Sequence, residues 1–138
     1  MVFIFDDESE FDASVDELWA YLPSENHKHP SSKVISREVS GNTVTLTSER
    51  PFNGQIVRFK SRNTLFPPVG MVQEYLEGPI AGSKAFTFYT PKGDKTRITL
   101  VGEFHVEGMI DEESTKKAVF QMLENSFNED TVTLKKMK

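Results

Sequence analysis

From Asp111 onward the chain reads DEESTKKAVFQMLENSFNEDTVTLKKMK, a segment with a helical hydrophobic period and electrostatic marks at both ends. Asp111 can cap, Glu112 and Glu113 fall in the first turn, and Lys135, Lys136 and Lys138 fall at the end, where each sign suits the helix dipole. Phe120, Leu123, Phe127 and Leu134, flanked by Val119 and Met122, make one apolar stripe. Helix propensity alone holds such a segment weakly. Burial of the stripe, at about 1.5–3 kcal/mol for each large side chain, would contribute ~10 kcal/mol. A helix over about 112–136 therefore needs an apolar surface to lie on.

Strands supply that surface. The runs KVISREV, TVTLTSE, GQIVRFKSRNTLF, MVQEYLE, SKAFTFYT and KTRITLVGEFHVEG are separated by the short polar or Gly/Pro-rich turns SGN, PPVG, GPIAG and PKGD. Sequential strands joined by tight turns make an antiparallel meander. Ahead of them, VFIFDDESEF alternates: Phe3, Phe5, Asp7, Ser9 and Phe11 share one parity, predicting a strand with a largely apolar face and an acidic one. At DASVDELWAYLP the period changes. Ser14 and Glu17 form a capping box, Val15, Leu18, Trp19 and Leu22 fall at helical spacing, and Pro23 ends the run. PSENHKHPSS follows as a loop or a second short helical turn. No repeat or low-complexity linker divides the chain, so residues 1–138 form one domain.

Composition removes several classes of chemistry. With 138 residues, a net charge of -5 and 27% charged residues, the chain lacks the basic surface that nucleic-acid binding requires. Zero cysteines exclude disulfides, thiolate nucleophiles and Cys-ligated metal centres. The N-terminal MVFIFDDESEF is no signal peptide, and no run reaches the ~18 apolar residues of a membrane helix, so no membrane insertion is expected and the cytoplasm follows by default. A monomer is the default expectation. The 11 Phe, a high count, must pack somewhere.

The order of elements, with three local motifs, resembles the START-like (SRPBCC) superfamily from end to end. The motifs are Ala13-x-x-x-x-Leu18-Trp19 after the first strand, the Gly78-Pro79-Ile80-Ala81-Gly82 hairpin, and Gly93-Asp94-Lys95-Thr96-Arg97-Ile98-Thr99 entering the last strand. The resemblance implies an α+β helix-grip fold: a curved seven-stranded antiparallel sheet around the long C-terminal helix, with two short helices after strand one. It also implies a cavity between helix and sheet that in relatives holds lipids, sterols, polyketides or other apolar molecules. The superfamily includes cyclases, hydrolases and chaperone-associated members, so fold alone does not choose the function.

Strand parity then nominates the residues facing such a cavity. On the last strand Ile98, Leu100, Gly102, Phe104 and Val106 face in and His105 faces out. On strand four Val57, Phe59, Ser61, Asn63 and Leu65 face in, and the outward Arg58, Lys60 and Arg62 read as a solvated face. Strand six puts Phe86 and Phe88 inward and Tyr89 outward; the Tyr75 parity of strand five is taken as inward. The expected contacts to a small, mostly apolar ligand are Trp19, Phe59, Asn63, Tyr75, Phe88, Met122 and Phe127, with Asn63 and Tyr75 orienting a polar end.

No nucleophile elbow, P-loop, dinucleotide fingerprint or H-E-x-x-H is present. No catalytic residue is assigned; Asp7, inward on strand one, and Asp130, at the edge of the helix stripe, are the nearest thing to acid–base machinery, since a carboxylate held in an apolar cavity could serve as general acid or base. His27 and His29 read as a solvated rim loop rather than a metal site, because His105, the third histidine, points the other way. No metal and no cofactor is expected. Carriage of an apolar ligand is the leading reading; a cyclase- or hydrolase-like enzyme and a co-chaperone-like interaction module are the alternatives.

Overall fold

The computed structural model describes residues 1–24 and 27–137. Its elements are β1 (Val2–Phe11), α1 (Val15–Tyr21), β2 (Lys33–Ser40), β3 (Thr43–Phe52), β4 (Gln55–Phe66), β5 (Gly70–Glu77), β6 (Lys84–Lys92), β7 (Lys95–Phe104) and α2 (Glu112–Lys136). The strands form one antiparallel sheet in the order β1-β7-β6-β5-β4-β3-β2, a meander with β1 returned to pair with β7. One short helix follows β1, where two were expected; the segment in which the second would fall includes residues 25 and 26, outside those described. Among the described residues no helix is long and apolar enough to cross a membrane.

Both helices begin as their sequences dictate. Ser14 Oγ accepts from Glu17 N while Glu17 accepts from Ser14 N, closing the capping box of α1. Asp111 accepts from Ser114 N at the start of α2. The apolar stripe of α2 divides over two clusters. Ala118, Val119 and Met122 pack with Val2, Ile4, Phe59, Tyr75 and Phe104 at one end of the sheet; Leu134 packs with Phe11, Leu18, Tyr21 and Tyr89 at the other, with Phe127 against that group.

Facing on β7 and in the two residues after it is as expected, with Gly102, Phe104 and Val106 buried and His105 exposed. On β6 it is reversed. Ala85, Thr87 and Tyr89 are buried, while Phe86 and Phe88 stand on the outer face, Phe88 at 41% exposure. The two-residue turn Gly93–Asp94 sets this register: it pairs Tyr89 with Ile98, Thr87 with Leu100 and Ala85 with Gly102, so the inward side of β7 fixes the inward side of β6.

β1 is corrected as well. Val2 and Ile4 are buried and Phe3 and Phe5 are exposed. A β-bulge between Asp6 and Ser9 then shifts the register by one, bringing Phe11 inward, and Glu8 N donates to Asp6 Oδ1 across the bulge. Asp7 is consequently exposed rather than facing the helix. Much of the phenylalanine excess thus lies outside: Phe5, Val101, Phe86 and Val72 are aligned across four neighbouring strands on the outer face.

Candidate functional site

Between α2 and the β1–β7 side of the sheet lies an open groove of about 400 Å³. Its floor is apolar, with Ile98 and Leu100 from β7 and Phe120, Leu123 and Phe127 from α2; Asp6, Glu8 and Ser9 from the β1 bulge and Glu124 and Asn128 from α2 form its polar rim. The bulge therefore has a positional consequence: one extra residue turns Ser9 and Phe11 to the side of Asp6 and shapes the groove wall. Phe127 stacks on Phe11 with ring centroids 4.8 Å apart.

The expected ligand contacts distribute unevenly. Phe127 lines the groove, and Met122 lines a much smaller recess of about 50 Å³ beside Phe52 and Ala118. Phe59 and Tyr75 fill the main core; the Tyr75 ring lies 6.3 Å from that of Phe104, and the Arg50 guanidinium sits 5.4 Å over the Phe59 ring. Trp19 is half-buried in the second cluster, donating from Nε1 to the Pro68 carbonyl at 3.0 Å. Asn63 is half-buried on β4 with its Oδ1 buried and without a hydrogen-bond partner among the described residues. Phe88, on the outer face, has no part in the space between helix and sheet.

A polar cluster lies beneath the C-terminal half of α2. Tyr21 OH donates to Asp130 Oδ1 at 2.7 Å, and the same oxygen is 3.2 Å from His27 Nε2 and 3.3 Å from His29 Nε2. The two imidazole Nε2 atoms are 3.2 Å apart. The side chains of His27, His29 and Asp130 retain 26%, 22% and 14% exposure. The expectation of a solvated rim loop is thus overturned. Ser31 donates from N and Oγ to Glu129, at 2.9 and 2.7 Å, and ties the loop to the helix. Nearby, Arg50 donates to Ser126 Oγ on α2.

Burial and charge oppose one another at this cluster. Burial disfavours the His27 imidazolium, but the hydrogen bond and charge of Asp130 outweigh it and raise the His27 pKa above its ordinary value. His29 is lowered, because burial there exceeds the help from Asp130. Burial pushes Asp130 up, yet its hydrogen bond and charge interaction with His27 hold it below the usual carboxylate value. Burial, then the bond to Asp130, raises the Tyr21 phenol, which stays a donor.

No protein-family model matches the chain, and no curated protein matches it in sequence. Solved structures do match in shape. The Zhui aromatase/cyclase from Streptomyces sp. R1128 is 17% identical with a TM-score of 0.71, the match covering 96% of this chain and 92% of that one. The di-domain aromatase/cyclase StfQ from the steffimycin biosynthetic pathway is 12% identical with a TM-score of 0.78 over 99% of this chain and 52% of that one, so the chain spans about half of it. A conserved protein from Geobacillus kaustophilus is 17% identical with a TM-score of 0.73, covering 98% and 96%. At these identities the likeness is one of fold.

Proposed function

We propose that this chain, which has the helix-grip fold of the START-like (SRPBCC) superfamily, binds and carries a small, mostly apolar molecule in the groove between α2 and the β1–β7 side of the sheet. The observation that carries this reading is the groove itself: about 400 Å³ with an apolar floor and a few polar groups on its rim. Phe127 is kept from the contacts expected from sequence, and Ile98, Leu100, Phe120 and Leu123 join it. The acidic rim, Asp6, Glu8 and Glu124, favours an uncharged or cationic polar end on the ligand over an anionic one.

Native mass spectrometry of the protein as purified, with solvent extraction of anything retained, tests whether a ligand accompanies it. Binding of the uncharged fluorescent probe N-phenyl-1-naphthylamine tests the place. Leu123→Trp, which fills the groove, should weaken the probe at least about tenfold, and Phe88→Ala, on the outer face, should leave it unchanged. Absence of any retained molecule together with probe binding indifferent to Leu123→Trp would overturn the proposal.

A cyclase-like activity on such a ligand is the second reading. It is favoured by the aromatase/cyclases among the fold neighbours. Recovery of the ligand unchanged after incubation separates carriage from turnover.

A further inference from the structure

His27 Nε2, His29 Nε2 and Asp130 Oδ1 form a nearly equilateral triangle with sides of 3.2, 3.3 and 3.2 Å. All three are Lewis bases. The Leu22 carbonyl, 2.8 Å from His27 Nδ1, can only accept, so Nδ1 carries the hydrogen of the neutral ring and leaves the Nε2 lone pair aimed at the carboxylate. Lone pairs at this separation repel unless a proton or a cation lies among them.

We propose that His27, His29 and Asp130 bind a divalent transition-metal ion, for which zinc is the best fit. Bonds of about 2.0–2.2 Å in tetrahedral geometry set neighbouring donors about 3.3–3.6 Å apart, whereas the same bonds in an octahedral face set them about 2.8–3.1 Å apart. The 3.3 Å side meets the tetrahedral figure at its lower end, and the two 3.2 Å sides fall about 0.1 Å short of it and about 0.1 Å beyond the octahedral one. Two imidazoles with one carboxylate suit zinc and its first-row neighbours rather than calcium or magnesium, which take oxygen ligands. Three protein ligands leave the fourth position for water or substrate.

The surroundings of the triangle are those of a supported site. The Leu22 carbonyl fixes the His27 tautomer, and Tyr21 OH donates to the same Asp130 Oδ1 and holds the carboxylate in place. His29 Nδ1 supplies an independent sign: it is buried with no hydrogen-bond partner among the described residues, while Glu129 Oε1 waits 3.8 Å away. A small rotation of the ring on metal binding would let Nδ1–H donate to that carboxylate, which Ser31 already anchors. Partial exposure of both histidines gives the ion a path from solvent.

The site is independent of the ligand groove, and its test needs no ligand. The chelator-treated protein is titrated with Zn²⁺ by calorimetry and with Co²⁺ by visible absorption. The expected results are one ion per chain, micromolar or tighter for zinc, and intense Co²⁺ bands of a four- or five-coordinate centre. His29→Gln should lower zinc affinity at least about tenfold, with circular dichroism reporting its fold, while His105→Ala should not change it. The wild-type Co²⁺ spectrum decides the matter even if His29→Gln fails to fold. Weak six-coordinate bands, or equal zinc affinity in folded His29→Gln and wild type, would overturn the proposal and leave a proton-bridged hydrogen-bond cluster.

Discussion

Replacing Tyr21 by Phe removes one oxygen and leaves the packing intact. The ring is fully buried among Ala13, Leu18, Tyr89 and Leu134, and Phe fills the same volume without a cavity. What is lost is the hydroxyl that donates to Asp130 Oδ1 at 2.7 Å. A hydrogen bond to a charged acceptor contributes about 1.5–3 kcal/mol net, and a carboxylate stripped of a donor under the helix bears part of its desolvation cost as well. Because the Asp130 side chain keeps 14% exposure, water restores some of the loss, and the expected destabilisation is about 2 kcal/mol. Urea unfolding at neutral pH, with chelator present so that no metal contributes, reads it as a fall of about 1 M in the midpoint at unchanged slope. In an Asp130→Asn background the acceptor is neutral and the same change should cost less, giving a coupling of about 0.5 kcal/mol or more. A loss below about 0.5 kcal/mol, or an identical loss in both backgrounds, would refute the placement of a hydrogen-bonded carboxylate beneath α2.

Two further substitutions test the frame that holds the site. Phe104→Ala empties a fully buried position facing Tyr75 in the main core and should cost about 3–5 kcal/mol, read as a lowered calorimetric Tm; a shift of only a degree or two would place Phe104 outside the core. Ser14→Ala removes the cap of α1 and should cost about 1 kcal/mol by chemical denaturation, with Ser14→Thr recovering most of it.

The order of elements and both helix starts were legible because each rests on local signals: a capping box, a change of period, a tight turn. Strand facing was legible only where nothing interrupts the alternation. On β7 it holds from Ile98 to Phe104; on β1 a single bulge between Asp6 and Ser9 divides the strand into two parities, and the apolar Phe3 and Phe5 made the wrong one attractive. The error on β6 had a remedy within the sequence. Once Ile98, Leu100 and Gly102 face in, a two-residue turn at Gly93–Asp94 forces Tyr89, Thr87 and Ala85 to face in with them, whatever the hydrophobicity of Phe86 and Phe88. Register is a stronger constraint than composition when both faces of a strand carry aromatics. The displaced Phe5 and Phe86 align with Val101 and Val72 in an apolar row on the outer face.

The histidine cluster was missed for a different reason, which follows from helix geometry. Asp130 lies eleven residues after Val119, close to three full turns, so its side chain leaves the helix in nearly the direction of a residue that is wholly buried. Reading Asp130 as the edge of the stripe misplaced a residue that lies near its centre line. A carboxylate on that line has to be met from across the interface by donors, because an unpaired buried charge costs several kcal/mol. The sheet offers it none among the contacts observed; the donors come from Tyr21 of α1 and from the loop carrying His27 and His29. Pairing the two histidines with His105 searched among residues of the same kind, whereas the physical requirement was for whatever could satisfy the buried aspartate. Residues 27–31 are therefore drawn under the helix by the same demand that makes the two imidazoles and the carboxylate converge on one point.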